Sequence, residues 1–389
     1  MGRGLNAKNS RGHQYNLIYF LTYNDPPTGV YKSQVAGVCA YLRDSHQIDV
    51  KLVALISIRS FWANRRKIRT MYPNAMVLPM FPKHRNWRKN RILLQLFVGN
   101  KSGSTIICRG IFSNKLARTS GQYKSVVFDG RGAYAAEFRE YLGREHVTDD
   151  VADLEREAVH ESDICLAVSN ALVDHWKKEY NYENDNHVIV PCTLNETEFS
   201  LHEEKIRASR KKYGFTDQDV VYIYSGSIAG WQSGKMMDEY CFQVLAANTN
   251  AHFVFLSKFD LTQFESYNRF EDRIKQFWVS PEEVRNLLLC GDYGILIREQ
   301  SITNKVASPT KFAEYLLAGL KVIISPNLGD YSDLVKEENL GEIFKEEKGT
   351  LIHDKLTFEE KKKLNRFAID NFTKSVFKNE YRKIIRPNE

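Results

Sequence analysis

Lys311 and Glu314 stand one helical turn apart in Ser308–Ser325, SPTKFAEYLLAGLKVIIS. The stretch reads as a helix opening toward a cleft and feeding a buried strand. Ser308 suits the N-cap, Pro309 the first helical position with Thr310 behind it, and Gly319 the left-handed residue that ends a helix. At about 100° per residue, Phe312, Ala313, Leu316 and Leu317 share one face, and Lys311, Glu314 and Tyr315 the other. A helix start offers unpaired backbone N–H groups and partial positive charge, which suits a phosphate. Lys311 adds a full charge there, and Glu314 is placed to meet sugar hydroxyls. The same residues equally describe an ordinary amphipathic helix with a solvated Lys–Glu pair.

Further groups of that chemistry recur. Arg298 follows the apolar run Tyr293–Ile297, and SGSIAGWQSGK places Gly226, Ser227, Gly230, Gly234 and Lys235 after another. This loop is neither a Walker motif nor G-x-G-x-x-G, so alone it is only suggestive of phosphate binding. In the first half, Gly29 closes the loop NDPPTG, Arg109 follows TIIC, and Asp129 and Arg131 lie in DGRG. Polar residues just past the carboxyl ends of parallel strands face the ligand crevice of an open α/β sheet. An Asp–Arg pair that only stabilises a turn explains Asp129 and Arg131 as well. The sequence carries no G-x-S-x-G, H-E-x-x-H or Cys/His spacing, so no nucleophile, metal or cofactor is expected. Instead, cations that neutralise charge developing on a leaving diphosphate would assist group transfer without a protein nucleophile. Asp129, Arg298 and Lys311 are the catalytic candidates, with Asp129 polarising a substrate hydroxyl.

The elements that must position these groups alternate strand and helix twice. Apolar strands are expected at Tyr15–Tyr23, Val50–Ile56, Thr105–Cys108, Lys124–Phe128, Ile164–Val168 and Val188–Val190. The turn-rich PCTLNETEF then reads as a linker. Strands at Val220–Tyr224, Phe253–Leu256, Ile274–Val279 and Tyr293–Ile297 begin a second series. The expectation is α/β, two Rossmann-like doubly wound domains facing across a cleft, at 1–195 and 196–365. One long helix over Phe358–Ile385 would carry 366–389 back to the first domain.

Charge is distributed unevenly. The net charge is +7, yet residues 50–128 hold 16 of the 55 Lys and Arg and none of the 48 Asp and Glu. Within this interval, 59–91 interleaves cations with Phe61, Trp62, Met71, Tyr72, Phe81 and Trp87. It fits a solvated basic surface, a patch docking on anionic lipid, or a nucleic-acid patch. No RNA or DNA module signature accompanies it, so no nucleic-acid partner is expected. The six scattered cysteines include no CxxC and read as small core residues in a reducing compartment. With no apolar run of membrane-span length and no signal-peptide pattern, the expected location is cytoplasmic.

Two doubly wound domains, with IYSGS, DGRG and SPTKFAEYLLAGLKVI followed by GDYSDLV, resemble the retaining glycosyltransferases of GT-B fold, family 4 type. The resemblance runs from about Tyr15 to about Phe344. It implies metal-independent sugar transfer from a nucleotide-sugar donor to a lipid-linked or saccharide acceptor, in bacterial capsule or O-antigen assembly at the inner face of the cell membrane. Glu314 would then bind the ribose. Lys311 and Arg298 would hold the diphosphate, with Gly226, Ser227, Lys235, Ser308, Pro309 and Thr310 around the donor. Gly29, Arg109 and Arg131 would be acceptor-side residues, alongside Asp129. The sequence departs from the pattern at Val306, where many relatives carry a glutamate, and at Ser227, near the place of a usual arginine. Other readings of the chain are a nucleotide-sugar epimerase of the same fold, or a non-catalytic binder that uses the basic patch.

Overall fold

The computed structural model describes residues 17–82, 84–142, 151–194, 201–226, 233–345 and 351–385. Ser227 and Gly230 lie outside these residues, as does most of the expected linker.

Two parallel sheets form the frame. The first contains β1 (Leu17–Tyr23), β2 (Asp49–Ile56), β3 (Met76–Pro79), β4 (Ser104–Arg109), β5 (Ser125–Gly130), β6 (Ile164–Ala167) and β7 (His187–Ile189), in the order β3-β2-β1-β4-β5-β6-β7. The second contains β8 (Val220–Ser225), β9 (Ala251–Leu256), β10 (Ile274–Gln276), β11 (Tyr293–Leu296), β12 (Lys321–Ile324) and β13 (Gly341–Ile343), in the order β10-β9-β8-β11-β12-β13. Helices cover both faces of each, which is why the central strands read as continuous apolar runs. The strand order reverses between β1 and β4 and again between β8 and β11. Crossover helices leave those two points in opposite directions, opening a crevice at the carboxyl ends of the strands.

The short β3 and β13 escaped sequence reading, because runs of three or four residues at a sheet edge carry little periodic signal. The expected Phe358–Ile385 helix is two helices, Phe358–Phe372 and Lys378–Ile385. Its break has a tertiary cause. The chain returns to the first domain beside the outgoing strand: Leu194 bridges Thr373, and the Leu194 N–H donates to the Phe372 carbonyl at 2.9 Å. Past this crossing, Tyr381, Ile384 and Ile385 join the apolar core of the first domain, with Val35, Leu42 and Ile68. Gly29 opens a helical turn, Gly29–Tyr31, that runs through a π-helical turn into the Gly37–His46 helix.

Candidate functional site

The helix predicted from its caps spans Thr310–Leu317, and Gly319 takes the left-handed φ of +78° that ends it. Ser308 is not the N-cap. Pro309 holds that position, and among the described residues no side chain caps the helix. The Ser308 hydroxyl is occupied elsewhere. It accepts the Cys192 N–H at 2.8 Å and lies 2.7 Å from the Tyr331 hydroxyl, tying the second domain to the end of the first sheet. Tyr315 is buried, against expectation. Gly294 on β11 leaves room for its ring: a Cβ there would sit 2.3 Å from Tyr315 Cγ. The Tyr315 hydroxyl accepts the Ser225 N–H at 2.9 Å, fixing the end of β8.

That end presents Gly226, over which Lys311 lies. A Cβ at Gly226 would fall 2.0 Å from Lys311 Nζ, so glycine is required for the amine to reach this place. The amine donates to the Tyr224 hydroxyl at 3.4 Å and sits 4.5 Å from that ring's centroid. Burial, and then Arg298, hold Lys311 well below the usual lysine range, while Glu314 pulls the other way. Arg298, just past β11, is 7% exposed. Burial lowers its guanidinium to about 10, against the upward pull of Tyr224 and Tyr315. One terminal nitrogen donates to Asn304 Oδ1 at 3.2 Å, whereas the buried Nε has no hydrogen-bond partner among the described residues. Two desolvated cations thus share the β8/β11 switch point beside an uncapped helix start. The arrangement favours an anion, because an anion relieves both the repulsion and the desolvation. Lys235 lies in the first turn of the Gly234–Ala247 helix, is well exposed, and faces Glu239 at 3.8 Å.

Across the cleft, the structure brings Arg109, Asp129 and Arg131 together. Asp129 is 2% exposed, with Arg109 Nη1 at 3.3 Å from one oxygen and Arg131 Nη1 at 3.4 Å from the other. Sequence reading missed Asp25, whose carboxylate lies 3.3 Å from Arg109 Nε in the loop after β1. Burial raises Asp25 to about 6, Arg109 opposes that, and Asp129 adds to it. Its signal was a carboxylate two residues past an apolar strand, the logic that selected Arg109. Arg131 also donates to Gln34 Oε1 at 3.3 Å and contacts Cys192 Sγ at 2.9 Å. Gly29 is exposed, with open space where a Cβ would stand.

The domains meet through the segments that follow β5, β6 and β7. Glu140 of the first accepts the N–H groups of Ile302 and Thr303 at 2.9 and 3.1 Å, capping the Ile302–Lys305 turn of the second. Asp330 of the second accepts the N–H groups of Asn170 and Ala171 at 2.7 and 3.1 Å, at the start of the Asn170–Tyr180 helix of the first. Val306 is buried in the first domain's apolar cluster, and its carbonyl accepts the Ser169 hydroxyl at 2.8 Å.

No family model matches the chain, and no curated protein matches it either. Solved structures do. A glycosyltransferase from Rickettsia africae superposes with a TM-score of 0.71 at 13% identity, covering 96% of this chain and 99% of that one. Anabaena HepE in complex with UDP and glucose gives 0.68 at 12% identity, over 94% and 98%. The lipopolysaccharide outer core galactosyltransferase WaaB gives 0.64 at 14% identity, over 96% and 100%. The fold is GT-B. Gly226, Arg298 and Lys311 lie at the β8/β11 switch point of the second sheet, and Asp25 and Arg109 at the β1/β4 switch point of the first, with Arg131 beside Asp129 just past β5. Among the described residues no helix is long and apolar enough to cross a membrane.

Proposed function

We propose that this chain is a glycosyltransferase that moves a sugar from a nucleotide-diphosphate sugar to a lipid-linked or saccharide acceptor. The carrying observation is the pair of cations, buried Arg298 and half-buried Lys311, gathered beside Gly226 and the Pro309 helix start. The GT-B fold supports the reading, as do similar structures described as a UDP and glucose complex and as a lipopolysaccharide galactosyltransferase.

In this reading the diphosphate lies against Arg298, Lys311 and the helix start, with Glu314 toward the ribose. The bond between the sugar's anomeric carbon and the phosphate oxygen breaks, and its electron pair stays on that oxygen. The two cations stabilise the growing charge in place of a divalent ion. The acceptor hydroxyl bonds the anomeric carbon on the face the diphosphate leaves, and its proton passes to the departing oxygen. Configuration is therefore retained. Arg109, Asp129, Arg131 and Gly29 form the opposing wall, where acceptor and sugar are held. Surface-polysaccharide assembly at the cytoplasmic side of a membrane is the setting proposed for it.

Calorimetric titration with UDP, GDP, ADP, dTDP and CMP tests the donor site, with one nucleoside diphosphate expected to bind in preference to CMP. Incubating the chain with the matching nucleotide sugars and no acceptor should give slow hydrolysis with retention. An epimerised nucleotide sugar, or binding of none of these nucleotides, would overturn the assignment.

A further inference from the structure

The acid-free interval of the first domain also holds a cluster of apolar side chains that the fold leaves uncovered. Ile58 and Trp62 are 57% and 75% exposed, at i and i+4 where the chain enters the Phe61–Met71 helix. Phe81, just beyond the carboxyl end of β3, is 37% exposed. Since the 3₁₀ turn Ile58–Ser60 starts two residues after β2 and the helix follows it directly, all three lie at the carboxyl edge of neighbouring strands β2 and β3. This is the end of the sheet that carries Asp25 and Arg109 in the cleft.

The helix is held to the domain along a narrow line, with Ile68 its one fully buried residue and Phe61 and Met71 packing alongside. Arg66, Lys67 and Arg69 project from it exposed, and the Arg65 guanidinium lies 5.7 Å from the Trp62 ring centroid. No Asp or Glu occurs between residues 50 and 128 to offset them. A solubilising surface mixes both signs and does not need an exposed indole beside an exposed isoleucine. Nucleic acid would use the guanidinium groups and one ring as a stacking platform. It has no use for the aliphatic Ile58, and Arg65 already stands over Trp62.

An anionic bilayer matches all of these features. Indole and aliphatic side chains bury at headgroup depth, and cations meet lipid phosphates. We infer that the corner formed by Ile58, Trp62, Phe81 and the cationic face of the Phe61–Met71 helix seats on an anionic phospholipid surface, at the cleft edge of the first domain. A lipid-borne acceptor then reaches the cleft without leaving the membrane plane. The inference is independent of the reaction, because docking needs neither donor nor acceptor.

Flotation of the full chain tests it, with vesicles of phosphatidylcholine alone or with about one third phosphatidylglycerol. The chain should float with the anionic vesicles and not with phosphatidylcholine alone. Replacing three cations together, Arg65→Gln, Arg66→Gln and Lys67→Gln, should weaken this by about a hundredfold, and Trp62→Ser by about tenfold. Brominated lipid should quench tryptophan fluorescence in the parent and much less in Trp62→Phe, a substitution that keeps an aromatic ring in place. Melting temperatures equal to the parent's establish that the variants fold. Equal flotation of parent and triple variant, equal binding to uncharged vesicles, or unchanged quenching in Trp62→Phe would overturn the inference. Salt-sensitive binding to single-stranded RNA without flotation would overturn it too.

Discussion

Arg298 and Lys311 reach one buried place from different elements, a strand end and a helix start, and Arg298 contributes to holding the Lys311 amine well below the usual lysine range. Like charges gathered in a dry site destabilise the empty protein and favour a bound anion, which ties fold stability to occupancy.

Lys311→Ala should therefore separate binding from stability. Affinity for the preferred nucleoside diphosphate should fall roughly tenfold to a hundredfold, the size of a lost charge-assisted hydrogen bond. The melting temperature of the unliganded variant should equal or exceed the parent's. Calorimetry and thermal melting read the two effects, and an unchanged affinity would count against the site.

Gly226→Ala should reproduce that binding loss through sterics alone. The new methyl would meet Lys311 Nζ and Cε at 2.0 and 2.6 Å. The far end of the lysine moves readily, but the methyl would also stand 2.8 Å from the hydroxyl of buried Tyr224, so stability should fall by about 1–3 kcal/mol. A variant that binds nucleotide as the parent does would show that the amine need not lie over Gly226.

Glu140→Ala should loosen the domains. It leaves two backbone N–H groups and the Thr303 hydroxyl without their acceptor. The loss of such a cap costs about 1–2 kcal/mol, and combining it with Asp330→Ala removes the reciprocal contact. Small-angle scattering should give a larger radius of gyration for the double variant without nucleotide. An identical scattering profile would show that these contacts do not hold the domains together.

Glu155 supplies a pH dependence. It is fully buried, accepting the Ala135 N–H at 2.8 Å and the Tyr180 hydroxyl at 3.0 Å, and burial raises it to about 7 from the ordinary 4.5. The native state therefore keeps a proton that the unfolded chain releases at lower pH. Stability attributable to this group falls as pH rises from about 4.5 to about 7, by about 3 kcal/mol, and is level above that. Glu155→Gln should remove that slope, as measured by denaturant unfolding at pH 5 and pH 8. A variant with the parent's slope would place the titration elsewhere.

Much of this molecule was legible in one dimension. Central strands such as Val220–Tyr224 and Val322–Ile324 announce themselves as apolar runs, because both of their faces are covered. Arg298, Arg109 and Asp129 were found by their position after such runs, a rule that depends only on parallel topology, and Lys311 by its place in the first turn of a helix. Asp25 obeys the same rule and was passed over within a turn-rich loop.

What the sequence determined by itself was local: the alternation of strand and helix, the left-handed end at Gly319, the cations at strand ends and the one-signed interval. Periodicity and turn chemistry act over a few residues, so they survive without a partner in view. Only the tertiary structure decided that Ser308 binds Cys192 across 116 residues, that Tyr315 fits against Gly294, and that the last helix breaks at the Thr373 crossing. Each is a competition between a local preference and a contact from a distant part of the chain. The distant contact prevails because a buried polar group or ring must be matched wherever its partner lies in sequence.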